Sequence, residues 1–211
     1  MPNLTQRVKS MVIDYNSNEL AVKIGKLPQD FTKSDIINFI REEEIRHINF
    51  QYPAGDGRLK TLNFVINDAD YLNEILSCGE RVDGSSLFKF IEANNSDLYV
   101  VPKFRTAYMD PFCELPTINF LCAFFNKDGE PLASSPEYTL HKACEAFRKA
   151  TGREFQAMGE LEYYVIAQDE AVYQAVDQKG YHESAPYAKF GEFRQLCIGT
   201  SSCRRFHNQV R

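Results

Sequence analysis

Apolar positions along the chain recur first with a helical period and then with a strand period. Thr32-x-x-Asp35 is a capping-type start, and Ile36, Ile37 and Ile40 follow at helical spacing, which predicts a helix running into Glu42-Glu43-Glu44, a solvated acidic face. The period then drops to two. Ile48, Phe50 and Tyr52 alternate, as do Leu62, Phe64 and Ile66 beyond the turn Gly55-Asp56-Gly57, and this predicts a β-hairpin. Leu72, Ile75 and Leu76 place a short helix over Asp70 to Cys78, followed by the polar loop Asp83-Gly84-Ser85-Ser86. Ile118, Phe120, Cys122 and Phe124 alternate into the turn Asn126-Lys127-Asp128-Gly129, so that strand has one core face. Ser135 before Pro136 opens an amphipathic helix with Leu140, Ala143, Cys144 and Phe147 on its apolar side and a stop at Gly152. Phe155 to Ile166 reads as a further strand. Before Thr32 the pattern is weak, with a possible helix near Thr5 to Tyr15 and a stop at Leu27-Pro28.

This alternation of helices and hairpins is that of an α+β chain. At 211 residues and 44% apolar side chains it has material for one large or two small domains. Charge narrows the partners. With 24 basic against 29 acidic residues, a net charge of -5 and no long basic tract, nucleic acid is not an expected partner. No apolar run reaches the roughly 20 residues that span a bilayer and no signal-peptide pattern opens the chain, so a cytoplasmic address is the default expectation. The six cysteines lack CxxC spacing and read as reduced thiols, mostly packing residues.

The first chemical candidate is the pair Glu160 and Glu162 in Gly159-Glu-Leu-Glu-Tyr-Tyr164. In a strand, residues two apart share a face and lie roughly 6.5 to 7 Å apart. Two neighbouring carboxylates repel, and a hard divalent cation relieves that repulsion, so each could ligate a different metal. A bare Glu-x-Glu in a strand is nevertheless more often a solvated face. Asp83-Gly-Ser-Ser86, Ser96-Asp97 and Thr106-Ala-Tyr-Met-Asp-Pro-Phe112 are, taken singly, more often turns than sites. Cys197, Cys203 and His207 fit no zinc spacing. No Ser/His/Asp set or Gly-rich phosphate loop is present.

Taken in order, these motifs and the Ser135-Pro136-led helix resemble the N-terminal part of glutamine synthetases, from about Thr32 to about Arg194. The resemblance implies a β-grasp domain followed by an incomplete glutamine synthetase-like catalytic α+β domain. The corresponding segments are an extension at 1–31, the β-grasp domain at 32–116, the opening of the catalytic domain at 117–196 and a non-matching, loose basic tail at 197–211. It also implies the reaction. ATP phosphorylates the glutamate side chain, ammonia displaces phosphate from the acyl phosphate, and two divalent ions, Mg or Mn, clamp the phosphoryl group. Glu160 and Glu162 match the family's first two metal-ligand glutamates. Asp83 matches the aspartate that the family inserts into a neighbouring subunit's site to bind ammonium and take its proton, in a ring-forming homo-oligomer; Ser86 lies on the same loop.

Two positions depart from the family pattern: Pro102-Lys103 where Pro-Asp is usual, and Ser135-Pro136-Glu137 where Asp-Pro-Arg is usual. These point to a divergent branch, in which another amine could replace ammonia. Beyond about Leu196 the resemblance stops, before the later metal ligands, ATP-binding residues and phosphate-holding arginines. A truncation or a shifted reading frame would produce that pattern, and the expectation is a chain inactive on its own. The alternative is a non-catalytic β-grasp module that modulates a full-length synthetase.

Overall fold

The computed structural model describes residues 11–14, 16–92, 96–160, 162–165 and 190–201. The chain divides into two compact units, Met1–Phe155 and Gln156–Arg211.

In the first unit, α1 (Glu19–Ile24) precedes α2 (Lys33–Glu42), β1 (His47–Pro53), β2 (Leu59–Val65), α3 (Ala69–Cys78), β3 (Glu80–Asp83) and the single turn α4 (Gly84–Leu87). Then come β4 (Asp97–Pro102), β5 (Tyr108–Met109), β6 (Thr117–Asn126) and α5 (Pro136–Thr151). The strands form one sheet in the order β2-β1-β6-β4-β3, with β5 on β6. β1 and β6 run parallel and the other pairs antiparallel.

Alternation decides which face is core. Ile48, Phe50 and Tyr52 of β1 and Ile118, Phe120, Cys122 and Phe124 of β6 are buried together with Ile36, Phe39 and Ile40 of α2 and Leu72, Ile75 and Leu76 of α3. Aromatic edges fill the centre: Phe50 meets Phe120 at 6.2 Å, and Phe124 meets Tyr52 at 5.1 Å and Phe88 at 5.0 Å. The predicted hairpin, both early helices and the strand at Ile118 to Phe124 all form. Thr32 caps α2 in a reciprocal box with Asp35.

Three features differ from the sequence reading. Residues within the weakly patterned 1–31 segment form α1, capped by Asn18, whose side chain also donates to the Ala107 carbonyl at 2.7 Å; Leu20 and Ala21 are fully buried. Of the predicted Thr5 to Tyr15 helix, residues 11–14 are helical and the rest lies outside the described residues. Thr117–Asn126, placed by sequence after the first domain, is instead the central strand of its sheet, because only there can β1 and β4 both reach it. The helix α5 has the predicted limits, from Pro136 to the Gly152 cap, yet none of its residues is buried and Leu140 is 63% exposed. Its anchor is its first turn, where Ser135 is buried and Glu137 meets Lys103.

In the second unit the predicted strand over 155–166 does not form among the described residues. No strand pairs with residues 155–160 or 162–165, and without a neighbour the backbone groups of an extended segment have no ladder to join. Gly191–Ser201 forms α6, so the stretch read as a loose tail begins inside a helix. Tyr163 lies edge-on to Phe193 at 6.1 Å. Cys203 and His207 lie outside the described residues. No helix among the described residues is long and apolar enough to cross a membrane.

Candidate functional site

The junction between β3 and α4 gathers the polar residues of the Asp83 loop. Asp83 ends β3 opposite Asp97 of β4, and its carboxylate caps the next turn. One oxygen accepts from the Ser85 backbone N–H at 3.0 Å and from the Ser85 hydroxyl at 2.7 Å, while the other accepts from the Ser86 hydroxyl at 2.8 Å. Donors from Ser85 first, then Ser86 and Ser96, hold the Asp83 carboxyl down to about 2. Asp83 and Ser86 are exposed, so this is an anion fixed in orientation at the surface.

Gly84 makes the geometry possible. A Cβ there would come within 2.6 Å of Leu98 Cδ1 and 3.0 Å of the Ser96 carbonyl, to which the Gly84 N–H donates at 2.6 Å. Beside the loop, Arg81 grips both oxygens of Asp97 at 2.8 and 2.7 Å, and each group is more than half exposed. Arg81 thereby neutralises Asp97. Asp83 has only neutral donors among the described residues.

The motif Thr106 to Phe112 is structural. The Thr106 hydroxyl donates to the Lys103 carbonyl and accepts from the Leu121 N–H, and Asp110 accepts from the Asn119 side chain at 3.0 Å and from the Phe112 N–H at 2.9 Å. These bonds pin β5 to β6. On the sheet face away from the core, the sequence reading overlooked a run of buried amides. Asn49 accepts from Asn63 and Gln51 from Tyr108, each at 2.7 Å, while Asn119, 1% exposed, keeps its Oδ1 without a partner among the described residues. The signal was present as His47, Asn49 and Gln51 at alternate positions of β1 and Thr117 and Asn119 at the start of β6.

Glu160 and Glu162 are exposed and lie outside any strand, so the co-facial spacing expected of a strand has no basis in this geometry. Among the described residues no three His, Cys, Asp or Glu side chains gather closely enough to hold a metal ion. Among the described residues Glu160 and Glu162 alone fall short of the octahedral oxygen set that Mg takes. The structure thus brings Asp83 and Ser86 together, and among the described residues it sets no third ligand-type side chain beside Glu160 and Glu162.

Residues 44–127, from the start of β1 to the turn after β6, match the family model described as glutamine synthetase, beta-Grasp domain. Over these residues the chain is similar to a glutamine synthetase β-grasp domain. A glutamine synthetase of Thermotoga maritima is 28% identical over 174 residues, covering 78% of this chain and 38% of that protein. One from Staphylococcus epidermidis is 26% identical over 163 residues, covering 75% and 36%. The chain therefore spans less than two fifths of the length of these relatives. A solved Plasmodium falciparum glutamine synthetase superposes with a TM-score of 0.50 at 18% identity, over 57% of this chain and 23% of that one, a likeness of fold. All six strands of the sheet, and the Asp83 loop with them, fall inside the β-grasp match.

Proposed function

We propose that this chain serves the ATP-dependent ligation of ammonia to the glutamate side chain, and that its β-grasp domain contributes the Asp83 loop to a site completed by other residues of a ring-forming assembly. The observation that carries this reading is the Asp83 carboxylate, held ionised and exposed by three serines inside the matched domain. A fixed anion with no cation of its own among the described residues suits a small cation such as ammonium. Held near 2, it is a weak proton acceptor. Asp83 therefore binds and orients ammonium first, and becomes basic enough to accept a proton only when a serine donor turns away from it.

In this reading Glu160 and Glu162 would hold Mg or Mn only together with donors from outside the described residues, and such metals would neutralise charge on the phosphoryl group that ATP supplies. The chain by itself is then inactive. The test is complementation: a Thermotoga maritima synthetase subunit substituted by alanine at the position aligned with Asp83 is mixed with this chain, and glutamate- and ammonia-dependent ADP formation is followed. Wild-type chain restores turnover at low ammonium, and Asp83→Asn restores it only at raised ammonium. Failure of the wild-type chain to restore it overturns the reading.

A second reading, a non-catalytic module that modulates a synthetase, draws on the β-grasp match covering all six strands of the sheet. It predicts a change in the activity of an intact synthetase that is indifferent to Asp83→Asn.

A further inference from the structure

At the edge of the sheet farthest from Asp83, β2 has β1 on one side and, among the described residues, no strand on the other. The ladder fixes which of its backbone groups are free. Ile66 donates to the Arg46 carbonyl and Ala54 to the Arg58 carbonyl, so the even-numbered residues of β2 turn their backbone groups toward β1. Leu59, Thr61, Asn63 and Val65 turn theirs outward, and all four are exposed.

A row of outward N–H and C=O groups is a template for another strand. The sequence Leu-Lys-Thr-Leu-Asn-Phe-Val of β2 is close to self-complementary about its centre. We propose that β2 pairs antiparallel with β2 of a second copy of this chain, about a two-fold axis at Leu62, to form one sheet continuous through both copies. In this register all four outward residues bond to outward residues: Leu59 to Val65 of the second copy, and Thr61 to Asn63.

The side chains agree with that register. Leu59 and Val65, 58% and 50% exposed, cover each other at both ends, and the polar Thr61 and Asn63 face each other between them. Lys60, the one charge in the strand, falls opposite Phe64 instead of another Lys60, a placement that permits cation–π contact. Sliding by two residues takes Leu59 off Val65 and leaves outward groups unpaired. An isologous contact of this kind closes on itself as a dimer.

The inference is independent of the ligase reading, and its test is the mass of the full chain in sedimentation velocity across a range of loading concentrations. The wild-type chain has the mass of two copies. Thr61→Pro removes an outward N–H that β1 does not use, and halves the mass. Leu59→Lys with Val65→Lys sets like charges opposite each other on exposed positions and also gives single copies. Leu59→Lys with Val65→Glu restores the doubled mass, because each Lys then meets a Glu. A single-copy mass for the wild-type chain at every concentration overturns the proposal, and so does an unchanged doubled mass in the double-lysine variant with its far-UV spectrum intact.

Discussion

The Lys103 ammonium is in direct contact with the Glu137 carboxylate, joining the end of β4 to the first turn of α5. Each side chain is about a quarter exposed. Lys103 and Glu137 are two of the three residues, Ser135 being the other, at which the sequence departs from the glutamine synthetase pattern it resembles, an acid being usual at the first and a base at the second. The departures face each other with their polarity reversed. Burial pushes the Lys103 ammonium below its ordinary value and Arg105 adds to that, while the Glu137 carboxylate is the anion in direct contact with it. Lys103→Ala or Glu137→Ala costs about 1–2 kcal/mol in urea unfolding, less than a fully buried pair because water still screens it. Lys103→Glu with Glu137→Lys recovers most of the loss, which two independent surface changes would not do.

The Asp83 loop carries a pH signature. The folded carboxyl, at about 2, lies below the unfolded value of about 3.9. A depressed value means that the folded state binds the proton less readily than the unfolded state, so the loop's stabilisation is complete above about pH 4 and is lost as pH falls through about 2. The titration midpoint expected for wild type by carboxyl carbon NMR is near 2. Ser85→Ala, which removes the strongest donor, moves the midpoint upward.

Two glycines hold the β3–β4 edge together. Gly79, at φ +74, would place a Cβ 2.2 Å from the Val100 carbonyl oxygen, and Gly84 would place one 2.6 Å from the Leu98 side chain. Backbone gives way less than a side chain, and left-handed φ adds strain at Gly79. Gly84→Ala costs roughly 1–3 kcal/mol. Gly79→Ala costs more, and the order of their urea midpoints checks the ranking.

The exposed face of α5 sets a contrast with the core. Leu140→Ser changes stability by no more than about 0.5 kcal/mol. Phe120→Ala, at the centre of the sheet, costs roughly 3–5 kcal/mol. Thermal unfolding of the two variants separates a helix anchored by its first turn from one packed along its length.

Much of this fold was legible because its signals are local. The Thr32 capping box, the Ile48 and Phe64 alternation and the Ser135-Pro136 start each specify an element within a few residues. What sequence periodicity could not reveal was what each apolar face meets. Leu140 and Phe147 keep helical spacing although neither is buried, and Glu160 and Glu162 keep strand spacing although no strand takes their backbone groups. α1 escaped notice because only Leu20 and Ala21 are fully buried in a helix of 6 residues, too few to establish a period. The Asp83 loop was visible as a motif. Its three serine donors and the close approach at Gly84 depend on Ser96 and Leu98, which only the pairing of β3 with β4 brings near.

The most direct test of the central claim is the ammonium dependence of glutamate-dependent ADP formation in the mixed assembly, with wild-type chain and with Asp83→Asn. Losing the fixed anion removes a charge-assisted contact to ammonium of about 1.5–3 kcal/mol. The ammonium concentration for half-maximal turnover then rises at least about tenfold, while the requirements for glutamate and ATP stay as they were. An unchanged ammonium requirement in Asp83→Asn, with turnover intact, would contradict the account.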